Sequence, residues 1–72
     1  MATKKSKYLI ALGTKIKQIR QDKNMTQFDL AVKMNRDQQS IQRIEKGRVN
    51  PSIYFLTELA DAMDIDVRKI IP

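Results

Sequence analysis

The chain has 72 residues, with 14 Lys and Arg against 8 Asp and Glu, a formal charge of +6, and neither Cys nor His. This length allows one domain with a thin core. The missing residue types exclude disulfides and His-based acid–base chemistry and remove the usual zinc ligands, and no apolar run approaches the roughly 20 residues needed to cross a bilayer.

Residues 1–7 read as a basic, flexible arm ahead of a single folded domain over residues 8–71. The apolar stretch Tyr8 to Leu12 behind the arm is too short for a signal peptide, so the expected compartment is the cytoplasm. With only two Gly and two Pro, the chain is punctuated too sparsely for a small β-module, and five helices are predicted. The first runs from about Leu9 to Asp22. Leu12, Ile16 and Ile19 recur there at the helical period, Lys15, Lys17, Gln18 and Gln21 face water, and Asn24 suits a left-handed ending.

The second helix starts at Thr26, an N-cap with Asp29 in the capping-box position. Met25 and Leu30 form a staple across that start, and Leu30, Ala31 and Met34 make the inward stripe. Asn35 tolerates the positive φ of a tight turn. The third helix follows Asp37, a second good cap. It turns Ile41 and Ile44 inward, exposes Gln38, Gln39, Gln42, Arg43 and Lys46, and stops at Gly47. Arg48 to Ser52 is a loop in which Pro51 keeps Asn50 out of the α region. The fourth helix places Ile53, Leu56, Leu59, Ala60 and Met63 inward and ends at Asp64. Asp66 caps a short fifth helix closing on Ile70 and Ile71.

Charge is unevenly spread. Lys4, Lys5, Lys7, Lys15, Lys17 and Arg20 carry the whole formal excess, because the remaining residues balance. Within the balanced part, Lys33, Arg36, Arg43, Lys46 and Arg48 outnumber Asp37 and Glu45. Such asymmetry suits a polyanion on one face, although a basic surface without a partner has the same composition. The segment Thr26 to Gly47 has the spacing of a helix-turn-helix. Its second helix keeps long amide and guanidinium side chains free of core duty. Gln pairs bidentately with adenine N6 and N7, and Arg with guanine O6 and N7, each pair giving roughly 1–3 kcal/mol of discrimination.

The chain resembles the Cro and phage-repressor (XRE) type of helix-turn-helix domain. The resemblance rests on Thr26-Gln27 with Leu30-Ala31, then Ile41 with Ile44-Glu45 and Gly47. It is extended by Leu12-Gly13, Ile16, Ile19-Arg20, Gln39-Ser40, Asn50-Pro51-Ser52, Leu56, Leu59-Ala60 and Met63. It implies an all-α, five-helix lambda-repressor-like domain with the helix-turn-helix at helices two and three. It also implies roles: Gln38, Gln39, Gln42 and Arg43 for base readout, with Gln42 aimed nearer the phosphates; Gln27, Lys46, Arg48, Asn50, Lys15 and Lys17 for phosphate contacts; and Arg20 with Glu45 as a scaffold pair. The chain departs from the family where Asn35 and Asp64 stand at positions usually held by Gly, at Phe28, which is either exposed near DNA or a partner or folded against helix one, and at Phe55, which with Tyr54 suits a partner surface or ordinary packing.

The expected function is sequence-specific binding of double-stranded DNA by a transcriptional regulator, a repressor or autoregulator, acting as a homodimer on an inverted repeat and nucleoid-associated when bound. Ile65, Val67, Ile70 and Ile71 are either the dimer seam or core. No cofactor, metal, small-molecule ligand or membrane partner is expected, and the scattered acids do not suggest an enzyme. The alternative is a protein-interaction adaptor or antitoxin-type module of the same fold.

Overall fold

A computed structural model describes residues 3–72. Among the described residues four α-helices form the domain: α1 (Lys4–Asp22), α2 (Gln27–Met34), α3 (Gln38–Glu45) and α4 (Ile53–Ala62). The expected fifth helix is instead a single 3-10 turn, Val67–Lys69. The Asp66 carboxylate accepts from the Arg68 backbone N–H and from its guanidinium, which closes a tight turn. Ile70 then leaves that turn to be fully buried in the core. One turn held by a side chain suffices there, and short 3-10 pieces commonly serve this way.

α1 starts at Lys4, five residues ahead of the start expected at Leu9. Thr3 is its N-cap and accepts from the Ser6 backbone N–H. Lys4, Lys5 and Lys7 therefore ride on helix rather than on a flexible arm, while Met1 and Ala2 of that arm lie outside the described residues. Elsewhere the local chemistry sets the boundaries. Thr26 and Asp29 form a reciprocal capping box, Asp37 caps α3 through the Ser40 backbone N–H, and Ser52 caps α4 through that of Phe55. Asn24, Asn35 and Asp64 adopt φ of 58°, 55° and 57° after α1, α2 and α4, and Gly47 adopts 71° after α3. Asn and Asp tolerate this region better than other non-Gly residues because their short side chains bond locally.

The core joins Leu12 and Ile16 of α1, Leu30 and Met34 of α2, Ile41 and Ile44 of α3, Leu56, Leu59 and Ala60 of α4, and Met63 and Ile70 beyond it. Burying one such large side chain contributes about 1.5–3 kcal/mol. α3 rests on α1 and α2, while α4 rests on α2 and the 3-10 turn. Ile70 is core, Ile65 and Val67 are half-buried against it, and Ile71 is exposed. Ile53, expected inward, is 69% exposed. It is the first residue of α4, and helical side chains lean toward the N-terminus, so it projects beyond the core. Among the described residues no helix is long and apolar enough to cross a membrane.

Candidate nucleic-acid interface

The outer face of α3 is built outward from a buried ion pair. Arg20 Nε donates to Glu45 Oε2 at 2.6 Å, Arg20 Nη2 donates to Oε1 at 3.0 Å, and Arg20 Nη1 donates to the Met25 carbonyl at 2.7 Å. The two side chains are 8% and 3% exposed. A charge pair this dry holds only when its remaining donors and acceptors are satisfied. That condition is met, since no buried side-chain N or O among the described residues lacks a partner. The pair ties the end of α1 to the end of α3 and fixes the helix from behind.

Gln27 joins the same cluster, its Nε2 donating to Glu45 Oε1 at 3.0 Å. An amide nitrogen carries two hydrogens, so Nε2 keeps a second donor on a side chain already oriented by Glu45.

On the outer side, Gln39, Gln42, Arg43, Lys46 and Arg48 line one shallow polar groove, and all five are exposed. The helical period explains the grouping. Ile41, Ile44 and Glu45 take the buried side of α3, and Gln39, Gln42, Arg43 and Lys46 fall opposite them at about 100° per residue. Three cations and two amides share the groove, with no acid among them. Arg43 is also the ridge to a second cleft, walled by Ser40, Val49, Pro51, Ser52 and Phe55.

The other candidates lie outside that groove. Gln38 is exposed at the first position of α3, about a quarter-turn round from Gln39. Asn50 is exposed in the loop. Lys15 lines a different groove, with Ile19, Asp64, Ile65, Asp66, Arg68 and Lys69. Lys17 stands about 200° round α1 from Lys15 and about two turns beyond Ile10. Ile10 is the residue against which Gly47 packs, so Lys17 and not Lys15 shares the side of α1 that meets the end of α3.

Asp37, at the head of α3, is held below the usual carboxylate range by the Ser40 hydroxyl and then its backbone N–H. Asp29 is lowered by the Thr26 backbone N–H and then its hydroxyl. Among the described residues no cluster of acids could hold a metal ion. Sequence reasoning missed Arg36, which counts as one more cation of the basic segment. Its guanidinium instead pairs with Glu58 at 2.5 Å and lies 5.1 Å from the centre of the Phe55 ring. An arginine in a turn followed by an aromatic and an acid three apart on a later helix is the only trace of this in the sequence.

The sequence matches the helix-turn-helix family model over residues 16–70. The chain belongs to the helix-turn-helix family. It is 37% identical over 62 residues to the immunity repressor protein of Bacillus phage phi105, covering 86% of this chain and 43% of that protein. It is 36% identical over 59 residues to multiprotein-bridging factor 1 of Candida albicans, covering 82% of this chain and 39% of that protein. The chain thus spans about two fifths of the length of these curated relatives. In structure it is similar to the restriction-modification controller protein C.AhdI of Aeromonas hydrophila, with a TM-score of 0.85 and 28% identity over 88% of this chain and 96% of that one.

Proposed function

We propose that this chain is a sequence-specific double-stranded DNA-binding transcriptional regulator. The observation that carries this reading is the acid-free groove of Gln39, Gln42, Arg43, Lys46 and Arg48, on and just after a helix whose other face is locked by the Arg20–Glu45 pair. In this reading α3 enters the major groove. Gln38, Gln39, Gln42 and Arg43 read base edges, with guanine as the partner of Arg43, while Gln27, Lys46, Arg48, Asn50 and Lys17 hold phosphates. Occupancy, without chemistry, is the whole mechanism. One copy covers little DNA, so two copies acting as a homodimer on half-sites about 34 Å apart give the needed affinity. A protein with this task works in the cytoplasm, on the nucleoid.

A second reading, a protein-binding adaptor, is favoured by the exposed Phe28, Val32, Ile53 and Tyr54 and by the likeness to a multiprotein-bridging factor. Selection from a random duplex library at about 0.15 M salt, near the physiological range, separates the two. Enrichment of an inverted repeat with half-sites one turn apart supports the regulator. Weak, salt-sensitive retention without enrichment supports the adaptor.

A further inference from the structure

Arg36 sits between Asn35, whose left-handed backbone ends α2, and Asp37, which caps α3. Its charge is already spent. Nη2 donates to Glu58 Oε1 at 2.5 Å, and the guanidinium carbon lies over the half-buried Phe55 ring, 5.1 Å from its centre. Phe55 and Glu58 are three apart on α4 and so share one side of that helix. Only a planar, forked cation can use its edge on a carboxylate and its face on an aromatic ring together. The side chains of Arg36 and Glu58 are 40% and 29% exposed, so the contact is partly dry and partly screened by salt.

The location gives the clasp its meaning. α3 rests on α1 and α2, and α4 rests on α2 and the 3-10 turn. The clasp runs from the turn that launches α3 across to α4. Gln38 and Gln39 follow within three residues of it. A small change in how that turn is held moves both side chains, and base pairing by bidentate donors depends on such placement.

We propose that Arg36 is a positioning residue for sequence readout: through Phe55 and Glu58 it sets where α3 begins relative to α4, and it makes no phosphate contact of its own. This rests on the DNA-binding reading above. It makes a prediction opposite in sign to simple electrostatics. Glu58→Gln removes an acid from a protein that binds a polyanion, which by charge alone tightens binding. Loss of the clasp instead weakens binding to the selected duplex.

The test measures affinity for the library-selected duplex and for a scrambled duplex, each across a salt series, for the wild-type chain, Glu58→Gln and Arg36→Leu, with thermal unfolding as a check on folding. Arg36→Leu should lose roughly three- to tenfold on the selected duplex, the scale of one exposed ion pair with one cation–π contact, and Glu58→Gln, which keeps Arg36 over Phe55, roughly two- to fivefold, the scale of the ion pair alone. Neither should lose affinity for the scrambled duplex, and the salt slope of Arg36→Leu should equal that of the wild type. Equal or tighter binding of Glu58→Gln to the selected duplex overturns the role. A slope lowered by about 0.9 in Arg36→Leu also overturns it, because that is the signature of one lost phosphate contact. If the wild-type chain enriches no duplex, the DNA-binding reading fails and this role fails with it, an outcome distinct from the other two.

Discussion

Gly13 on α1 lies directly beneath the backbone carbonyl of Glu45 at the end of α3. A Cβ at Gly13 would stand 2.6 Å from that oxygen and would also run into the carbonyl of Ile44. The approach packs α1 tightly against the end of α3, one turn along α1 from Leu9 and Ile16 in the core. Because both obstacles are backbone, neither can swing aside.

Gly13→Ala tests this crossing. By helix propensity alone the change adds about 0.8–1.0 kcal/mol of stability. The overlap should outweigh that, since overpacking typically costs about 1–3 kcal/mol. A fall in Tm of several degrees is expected, at about 4–8 °C per kcal/mol for a domain this small. A rise in Tm would show that the helices separate at little cost.

Arg20→Met leaves the Glu45 carboxylate buried with Gln27 as its remaining side-chain donor. Breaking one partner of such a pair costs about 3–5 kcal/mol, a large share of the stability of a domain this size. Urea unfolding should show this loss, and the double variant Arg20→Met/Glu45→Leu should lose clearly less than the sum of the two single changes. Additive losses would mean the two side chains do not act as a unit.

Acid should loosen the domain in a defined window. Asp29 and Asp37 are held below their ordinary values by cap hydrogen bonds, and Asp66 is held at about 2, first by its side-chain bond to Arg68. A carboxyl lowered in the folded state contributes stability that is fully present above the unfolded value, about 3.9, and is lost as pH falls through the folded value. Tm should therefore hold down to about pH 5 and drop toward pH 2. Asp37→Asn keeps a good N-cap but cannot titrate, so it should shrink that drop. An unchanged pH profile would remove Asp37 from the account.

On the proposed DNA-binding reading, substitutions at Arg43 and Lys46 should separate readout from grip. Arg43→Ala should relax preference at one position of each half-site, costing roughly 1–3 kcal/mol there. Lys46→Ala should weaken all duplexes alike and lower the salt slope by about 0.9. Library selection with Arg43→Ala and salt titration with Lys46→Ala read these two effects. Uniform loss from Arg43→Ala would place that side chain on a phosphate instead.

The sequence exposes much of this because its signals are local. Thr26 with Asp29, Asp37 and Gly47 mark helix ends through bonds within a turn. Asn24, Asn35 and Asp64 stand at left-handed positions because few other residues tolerate them. What escapes is nonlocal or degenerate. The Thr3 cap is a single residue ahead of a lysine-rich stretch with no apolar stripe, so the early start of α1 leaves no period to find. Asp66 caps a 3-10 turn and an α-helix with the same atoms, and burial of Ile70 decides between them. Ile53 fits the apolar period of α4 yet lies past the end of the core. In the candidate site, the outward set on α3 follows from helical phase. The clasp of Arg36 onto Glu58 spans 22 residues and could not be read from either neighbourhood.

The two sides of α3 carry separate duties. Ile41, Ile44 and Glu45 hold the helix in place, while Gln39, Gln42, Arg43 and Lys46 make no side-chain hydrogen bond or ion pair among the described residues. Substitution on the outer side therefore costs the fold little. On the proposed DNA-binding reading, a lineage carrying this domain can change the operator it answers to by drifting through Gln39, Gln42 and Arg43, and descendants within one cell can become insulated from one another without re-evolving a core.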